Sequence, residues 1–525
     1  MKNTYKIYLL SILTVITISS CKKDFADLTL NDNKPSSVPA SLLFNGVANN
    51  MAVLPETADE VYNQYYLYNY DYYGNNRYDF SYGDDYYTTL KNVVAMETQA
   101  TKAGSAALNP YSALGKFFRA FYFSKMSMEM GDIPMTQALQ GITTLEPAYD
   151  TQKAVMLQCL NWLDGANTDL TSLIASGDNS LASDIYLGNS LAAWQKVVNS
   201  FRIRLLVQLS KRTDDTDINV AAQFATMIGN PTKYPLMASA SDNLQYTFVI
   251  PNNYYPQNPN NFGQSGSRKN MSSTYVGLLT SLKDPRVFVT AEPARSLVDS
   301  LKQSPTDFAS FIGADPGEDL SLMYNNAGLQ KYSFINRKHF YSTFTGEPSI
   351  IVGYAELMFN IAEGINRGWA TGDAESYYTA GIKSSMTAYG IPENGAFTAY
   401  FYRPGSTDVT VATNYDTYSI PSSFVTYYSQ AGVKYAAGAT GLTEILVQKY
   451  IALFRHSGLE SYFTYRRTGI PNFTTGPGTG NGTRIALRFK YPAAERTSNA
   501  TNYNKALESQ YGGNDDINGT MWILK

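Results

Sequence analysis

Apolar residues recur at helical spacing along most of the chain, and this periodicity predicts a mainly α-helical fold. Leu43, Val47, Met51 and Leu54 share one face, with Ser41 as N-cap after Pro39. Leu114, Phe118, Phe121 and Met128 mark a second helix that ends near Gly131 and Pro134. The stripe Val155, Cys159, Leu163, Ala166, Leu170 and Leu173 predicts a helix over 152–174 and makes Cys159 a small core hydrophobe. Trp194, Val198, Phe201 and Leu205 place another over 191–210. Tyr354, Met358, Ile361 and Ile365 define 353–367, and Tyr377, Gly381 and Tyr389 define 374–389, stopped by Gly390 and Pro392. Leu442, Leu446, Tyr450 and Leu453 define 442–455. Each stripe is a narrow apolar face that needs a neighbour to bury it.

The pair 353–367 and 374–389 carries Ala355, Ala362, Gly364, Gly368 and Ala374, small enough for two antiparallel helices to approach closely, with Trp369 at the turn. It spans close to the 34-residue period of tetratricopeptide repeats without meeting their consensus. A stacked helical repeat and a plain helical hairpin both satisfy the segment.

Between the helices lie long irregular segments. Residues 62–87 (YNQYYLYNYDYYGNNRYDFSYGDDYY) and 250–270 (IPNNYYPQNPNNFGQSGSRKN) are dense in tyrosine and asparagine. Residues 395–440 are rich in Gly, Thr, Ser and Tyr and have room for short strands, and 472–483 form a glycine-rich loop. Loops this long in a folded protein are functional or disordered, and here the aromatics argue for order.

The N-terminus reads MKNTYKIYLLSILTVITISSC. Lys2 and Lys6 precede a short apolar run from Tyr8 to Ile18, and Ile18-Ser19-Ser20-Cys21 resembles a bacterial lipobox. The expectation is a signal peptide over 1–20, cleavage before Cys21, diacylglyceryl transfer to its sulfur and acylation of the new amine. More than one acyl chain makes a durable anchor. Residues 21–40 then read as a polar tether and 41–525 as one helical domain with insertions at about 62–87, 250–270 and 395–440. No later segment is long and apolar enough to span a bilayer, so the expected protein sits on a membrane without crossing it.

Composition narrows the chemistry. Charged residues make up 16% of the chain, hydrophobic ones 44%, and loss of Lys2 and Lys6 takes the net charge from −3 to −5. Such a chain folds, and it has no basic surplus to attract nucleic acid. The 42 tyrosines, against 25 Phe and 4 Trp, supply amphipathic rings for recognition as well as core. His339 and His456 are the only histidines, which excludes a multi-histidine metal site, and neither lies in a catalytic or zinc motif. His456 reads as structural. Glu356 and Glu363 sit seven apart on one helix and read as solvated, or as partners of Arg367, more readily than as a hydrolase pair. The tail Asn514 to Gly519 resembles the start of a calcium loop, but Asn514 replaces the first Asp and Lys525 the closing Glu. The GPGTG run at 476–480 lacks the helix of a dinucleotide fold. The expectation is no catalytic residue, no metal and no cofactor.

A set of collinear motifs runs through the chain: NDNKPSSVPASLLFNGVANNMA, GDIPMTQALQG at 131–141, PAYDTQKAV at 147–155, WQKVVNSFRIRLLVQLSKR at 194–212, DPRV at 284–287, GYAELMFNIAEGINRG at 353–368, ILVQKYIALFRHSGLESYFTYRRTGIP at 445–471, and RIALRFKYPAAERTSNATNYNKAL before GGND and Trp522. With the lipobox they resemble the SusD/RagB family of Bacteroidetes outer-membrane nutrient-binding lipoproteins, in the SusD-like branch described as starch-binding associating with outer membrane. The resemblance implies an α-helical fold on tetratricopeptide-like repeats with a loop-rich ligand-binding part. It implies a lipid-anchored, surface-exposed subunit that captures oligosaccharides or peptides, performs no chemistry and covers a SusC-like TonB-dependent β-barrel as a lid. Tyr450, where relatives often carry Trp, and Ile485-Ala486-Leu487, in place of a more basic stretch, depart from the pattern as packing variants.

A sugar ring is held by an aromatic face with Asn, Asp, Arg or Gln at its rim. Tyr72, Tyr73, Asn75, Arg77 and Tyr78 supply both kinds of group, as do Tyr254, Tyr255 and Asn258. These eight are the candidate ligand contacts, and tyrosines suit a peptide equally. The competing readings are a helical-repeat scaffold that binds only protein and, more remotely, a surface glycoside hydrolase.

Overall fold

The structure is a computed structural model that describes residues 37–525. The expected signal peptide, Cys21 and most of the expected tether lie outside the described residues. The helices include α1 (Ala40–Asn49), α2 (Tyr87–Lys102), α3 (Pro110–Met130), α4 (Gln152–Ala175), α5 (Leu191–Gln208), α6 (Leu320–Gly328), α7 (Tyr354–Asn366), α8 (Ala374–Ala388) and α9 (Ala439–Ala452), with further helices between and after them. The six strands form three two-stranded antiparallel sheets: β1 (Tyr66–Tyr68) with β3 (Lys269–Met271), β2 (Leu244–Tyr246) with β4 (Ser349–Val352), and β5 (Asn394–Tyr402) with β6 (Tyr415–Ser423). The 395–440 segment therefore holds one hairpin of two nine-residue strands, in register from Asn394–Ser423 to Tyr402–Tyr415, longer than the short strands expected. The fold is mainly α, as the periodicity predicts.

The helices start where side chains satisfy their first free N–H groups. Asn109 accepts from Tyr111 and Ser112 N–H at 2.9 and 3.0 Å ahead of Pro110, Thr151 accepts from Ala154, and Asp373 accepts from Ser376. Helix α1 differs from expectation. It begins at Ala40 with no side-chain cap, so Ser41 is not the N-cap. Its buried face is Phe44, Val47 and Ala48; Met51 and Leu54 lie beyond the helix, the first buried and the second exposed. The α4 stripe is buried throughout, Cys159 included, and burial pushes that thiol up.

Successive helices pack antiparallel. Lys116 and Phe123 on α3 meet Asp169 and Trp162 on α4, and Asn167 and Asp164 on α4 meet Gln195 and Arg202 on α5. Helices α7 and α8 close tightly at Gly381, where a Cβ would stand 2.8 Å from the Phe359 ring, and α7 closes on the Val220–Gly229 helix at Gly364, where a Cβ would enter the Phe224 ring. Trp369 at the α7–α8 turn packs edge-on against the same Phe224 at 5.5 Å.

Helix α7 is buried from Glu356 to Ile365, so Glu356 and Glu363 are not solvated. Glu356 pairs with Arg204 of α5, whose Nε lies at 2.7 Å. Glu363 pairs with Arg467 at 2.5 Å and with Arg367 at 2.8 Å. Burial alone would raise the Glu363 carboxyl, but the Arg467 and Arg367 charges outweigh it and hold the group at about 2. Two carboxylates locked on core arginines cannot flank a cleft, which removes the hydrolase reading of this pair.

The DPRV motif has a similar role. Asp284 and Arg286 have side chains with 0% exposure and bond at 2.6 Å, while Arg286 also donates to Ser385 of α8 and Gln448 of α9 at 2.9 and 2.7 Å. Breaking one side of a buried pair leaves an uncompensated charge and costs about 3–5 kcal/mol. Asp284→Ala is therefore expected to lower the urea midpoint strongly; a midpoint within error of the parent would show that the pair does not clamp these helices. The Glu363 carboxyl is depressed, so its contribution to stability is full above the ordinary carboxyl range near 4.5 and is lost as pH falls toward about 2. Thermal unfolding followed across that window should show a steeper acid decline in the parent than in Glu363→Gln.

Candidate ligand-binding site

The 66–78 segment is a loop closed by one side chain. Asn76 accepts from the Tyr68 N–H and donates to the Tyr68 carbonyl, both at 2.8 Å, as a neighbouring strand would. Gly74 has φ +152°, and a Cβ there would stand 2.8 Å from the Tyr68 ring. Pairing of β1 with β3 brings the second tyrosine-rich segment alongside, and buried Asn69 donates to Asn270 at 2.6 Å.

This closure presents a group of aromatic faces. Tyr70 lies 6.4 Å from Tyr72, 6.0 Å from Tyr73 and 5.4 Å from Tyr324, which α6 supplies. The Arg268 guanidinium lies over Tyr70 and Tyr73 at 5.1 and 5.3 Å. Tyr72 is 81% exposed, Tyr324 49% and Tyr73 38%. Exposed rings grouped this way form a surface suited to the C–H face of a sugar or to a peptide side chain.

Of the eight residues singled out in the sequence, Tyr72 and Tyr73 belong to this platform. Asn75 is exposed and accepts from the Arg77 N–H, and Arg77 pairs with Asp79 beside the glycine-rich loop. Tyr78 is buried and donates to the Tyr62 carbonyl at 2.8 Å. Tyr254 is exposed, and its ring lies against Phe344 at 4.9 Å. Tyr255 is buried, and buried Asn258 donates to its carbonyl at 2.7 Å. Sequence reading passed over Tyr70, Arg268 and Tyr324. The one signal for Tyr324 was its place at the edge of the buried face of Met323 and Ala327 on α6.

A larger cavity, of about 640 Å³, opens elsewhere, between the start of α7 and the ends of α8 and α9. Its wall includes Glu347 and His456, and Glu347 links both histidines. With the proton on each Nε2, His339 and His456 both donate to Glu347, to opposite oxygens, each at 2.8 Å. The Tyr255 hydroxyl lies 2.9 Å from the same His456 nitrogen. Burial would raise Glu347, but the hydrogen bonds from His339 and His456 outweigh it and hold the carboxyl far below its ordinary range. This triad binds the 339, 347 and 456 segments together. Among the described residues no group of His, Cys, Asp and Glu is arranged to hold a metal ion. In the tail, Asp515 is engaged by Arg488 at 2.7 Å.

Residues 32–492 match the SusD-like family described as starch-binding associating with outer membrane, and the chain belongs to that family. A SusD homologue from Bacteroides fragilis is similar in structure at TM-score 0.79 and 28% identity, over 93% of this chain and 100% of that one. An outer membrane protein from Bacteroides vulgatus, to which a part in nutrient binding has been ascribed, is similar at TM-score 0.76 and 29% identity over the same shares. A chitin-binding SusD homologue from Flavobacterium johnsoniae shares the fold at TM-score 0.68 and 20% identity, over 93% of this chain and 98% of that one. No curated protein matches the sequence significantly. No described helix is long and apolar enough to cross a membrane.

Proposed function

We propose that this chain is a non-catalytic capture protein, anchored at the outer membrane surface through lipidated Cys21, that holds an oligosaccharide on the Tyr70–Tyr72–Tyr73–Tyr324 platform. It then delivers the ligand to a SusC-like TonB-dependent β-barrel, which it covers as a lid. The observation that carries the reading is the platform itself: four tyrosines from two distant segments share one surface, three of them well exposed. A water-facing cluster of this kind costs solvation unless a ligand covers it. Family membership supports the outer-membrane setting, the lipobox supports the anchor, and residues 21–40 serve as tether. The fold shared with nutrient- and chitin-binding homologues agrees with a saccharide ligand.

Two measurements test this. Mild-detergent affinity purification of the lipidated protein from native membranes, with mass spectrometry of what is retained, should recover a TonB-dependent barrel. Its absence under conditions that preserve other barrel–lipoprotein pairs would sink the lid role. Tyr72→Ala combined with Tyr324→Ala should weaken binding of the co-purified ligand about tenfold or more, as expected for two lost stacking faces. Unchanged affinity would move the site off the platform, and recovery of a peptide alone would exclude the saccharide reading.

A further inference from the structure

Beside the platform lies a pocket of about 220 Å³ lined by Arg295, Arg337 and Arg403 with Phe262, Phe334 and Tyr402. It adjoins the platform through two shared segments. The 262–268 segment places Phe262 at the pocket and Arg268 on the tyrosines. Helix α6 carries Tyr324 to the platform, and Gln330, just past its end, lines the pocket. Gly266, two residues before Arg268, accepts from Arg337 Nε at 3.5 Å, so one short stretch of chain serves both pocket and platform.

The three guanidinium groups are held in place on their far edges. Arg337 donates Nη1 to Glu292 at 2.7 Å and lies over the Phe334 ring at 4.6 Å. Arg403 donates Nε to Asp416 at 2.7 Å and Nη1 to the Thr413 carbonyl at 2.8 Å. Arg295 donates Nη2 to the Tyr402 carbonyl, and its Nη1 stands 3.8 Å from Asp299, beyond a hydrogen bond. One terminal nitrogen of each remains without an acceptor among the described residues: Nη1 of Arg295, Nη2 of Arg337 and Nη2 of Arg403. Nη1 of Arg295 and Nη2 of Arg337 are not among the fully buried unpartnered atoms, and Arg403 is an exposed residue. The carboxylates balance the formal charge but leave these donors free. Pre-positioned guanidinium donors match the planar oxygens of a carboxylate and the oxygens of a sulfate ester.

We infer that this pocket recognises an anionic substituent, and that the ligand of the adjoining platform is an acidic oligosaccharide bearing a carboxylate or a sulfate ester. The inference rests on the platform reading and adds the substrate class to it. The test uses the full lipoprotein in detergent micelles and two matched pairs of probes: an oligogalacturonate with its neutral methyl ester, and a sulfated galactan oligosaccharide with its desulfated form. Titration calorimetry should show the acidic member of at least one pair binding about tenfold more tightly, with the preference shrinking as salt rises. The pair that shows it separates carboxylate from sulfate. Arg403→Gln and Arg295→Gln should each reduce the preference while leaving the neutral member's affinity in place. Tyr324→Ala should weaken acidic and neutral members alike. Equal or weaker binding by the acidic member in both pairs overturns the anion site and leaves the platform standing. No binding by any of the four overturns this inference, and the platform reading falls separately if Tyr72→Ala with Tyr324→Ala leaves the co-purified ligand's affinity unchanged.

Discussion

A helix buried on every side must have its charges neutralised from outside itself, and α7 is that helix here. Its two glutamates are out of water, where an unpaired carboxylate is costly, and each is met by arginine from another element. Arg204 ties α7 to α5, and Arg467 ties it to the short helix after α9. Lys449 of α9 adds a bond to Asn360 at 2.7 Å. Apolar packing would let these helices slide. Directional ion pairs with short reach do not, and the close approach of α8 at Gly381 adds a steric stop.

That scaffold sets where the loops leave and return. Asp284–Arg286 clamps α8 and α9 from outside, and the 255–271 segment runs from the histidine–glutamate wall to the platform. The loops are ordered by side chains that imitate backbone: Asn76 completes a two-bond ladder with Tyr68, and Asn69 bridges to Asn270. With those bonds made inside, tyrosine rings are free to turn outward. The platform is thus a consequence of asparagine-rich composition as much as of tyrosine content.

Two regions of the molecule answer to different physics. The 640 Å³ cavity lies among helix ends, where Glu347 joins both histidines, while the exposed aromatic faces lie on the loops. Volume alone would favour the first. Flat, solvent-facing rings beside open guanidinium donors are the better match to a hydroxylated ligand, which is bound by faces and directed hydrogen bonds more than by enclosure.

The sequence by itself determined the helices and the family. Apolar stripes such as Val155 to Leu173 are local patterns read at a fixed spacing, and the collinear motifs need no contact to be seen. It also singled out Tyr72 and Tyr73, two of the rings that the structure groups on the exposed platform. Only the tertiary structure decided which tyrosines face water: within the same short run Tyr72 is exposed and Tyr78 is buried, because Asn76 turns the chain between them. It likewise decided that Glu356 and Glu363 are core residues, that His339 and His456 share one carboxylate, and that three arginines from separate segments meet in one pocket. Each of these depends on residues brought together across long stretches of chain, such as Asn69 and Asn270 at 201 positions apart, and no periodicity in a single sequence encodes that meeting.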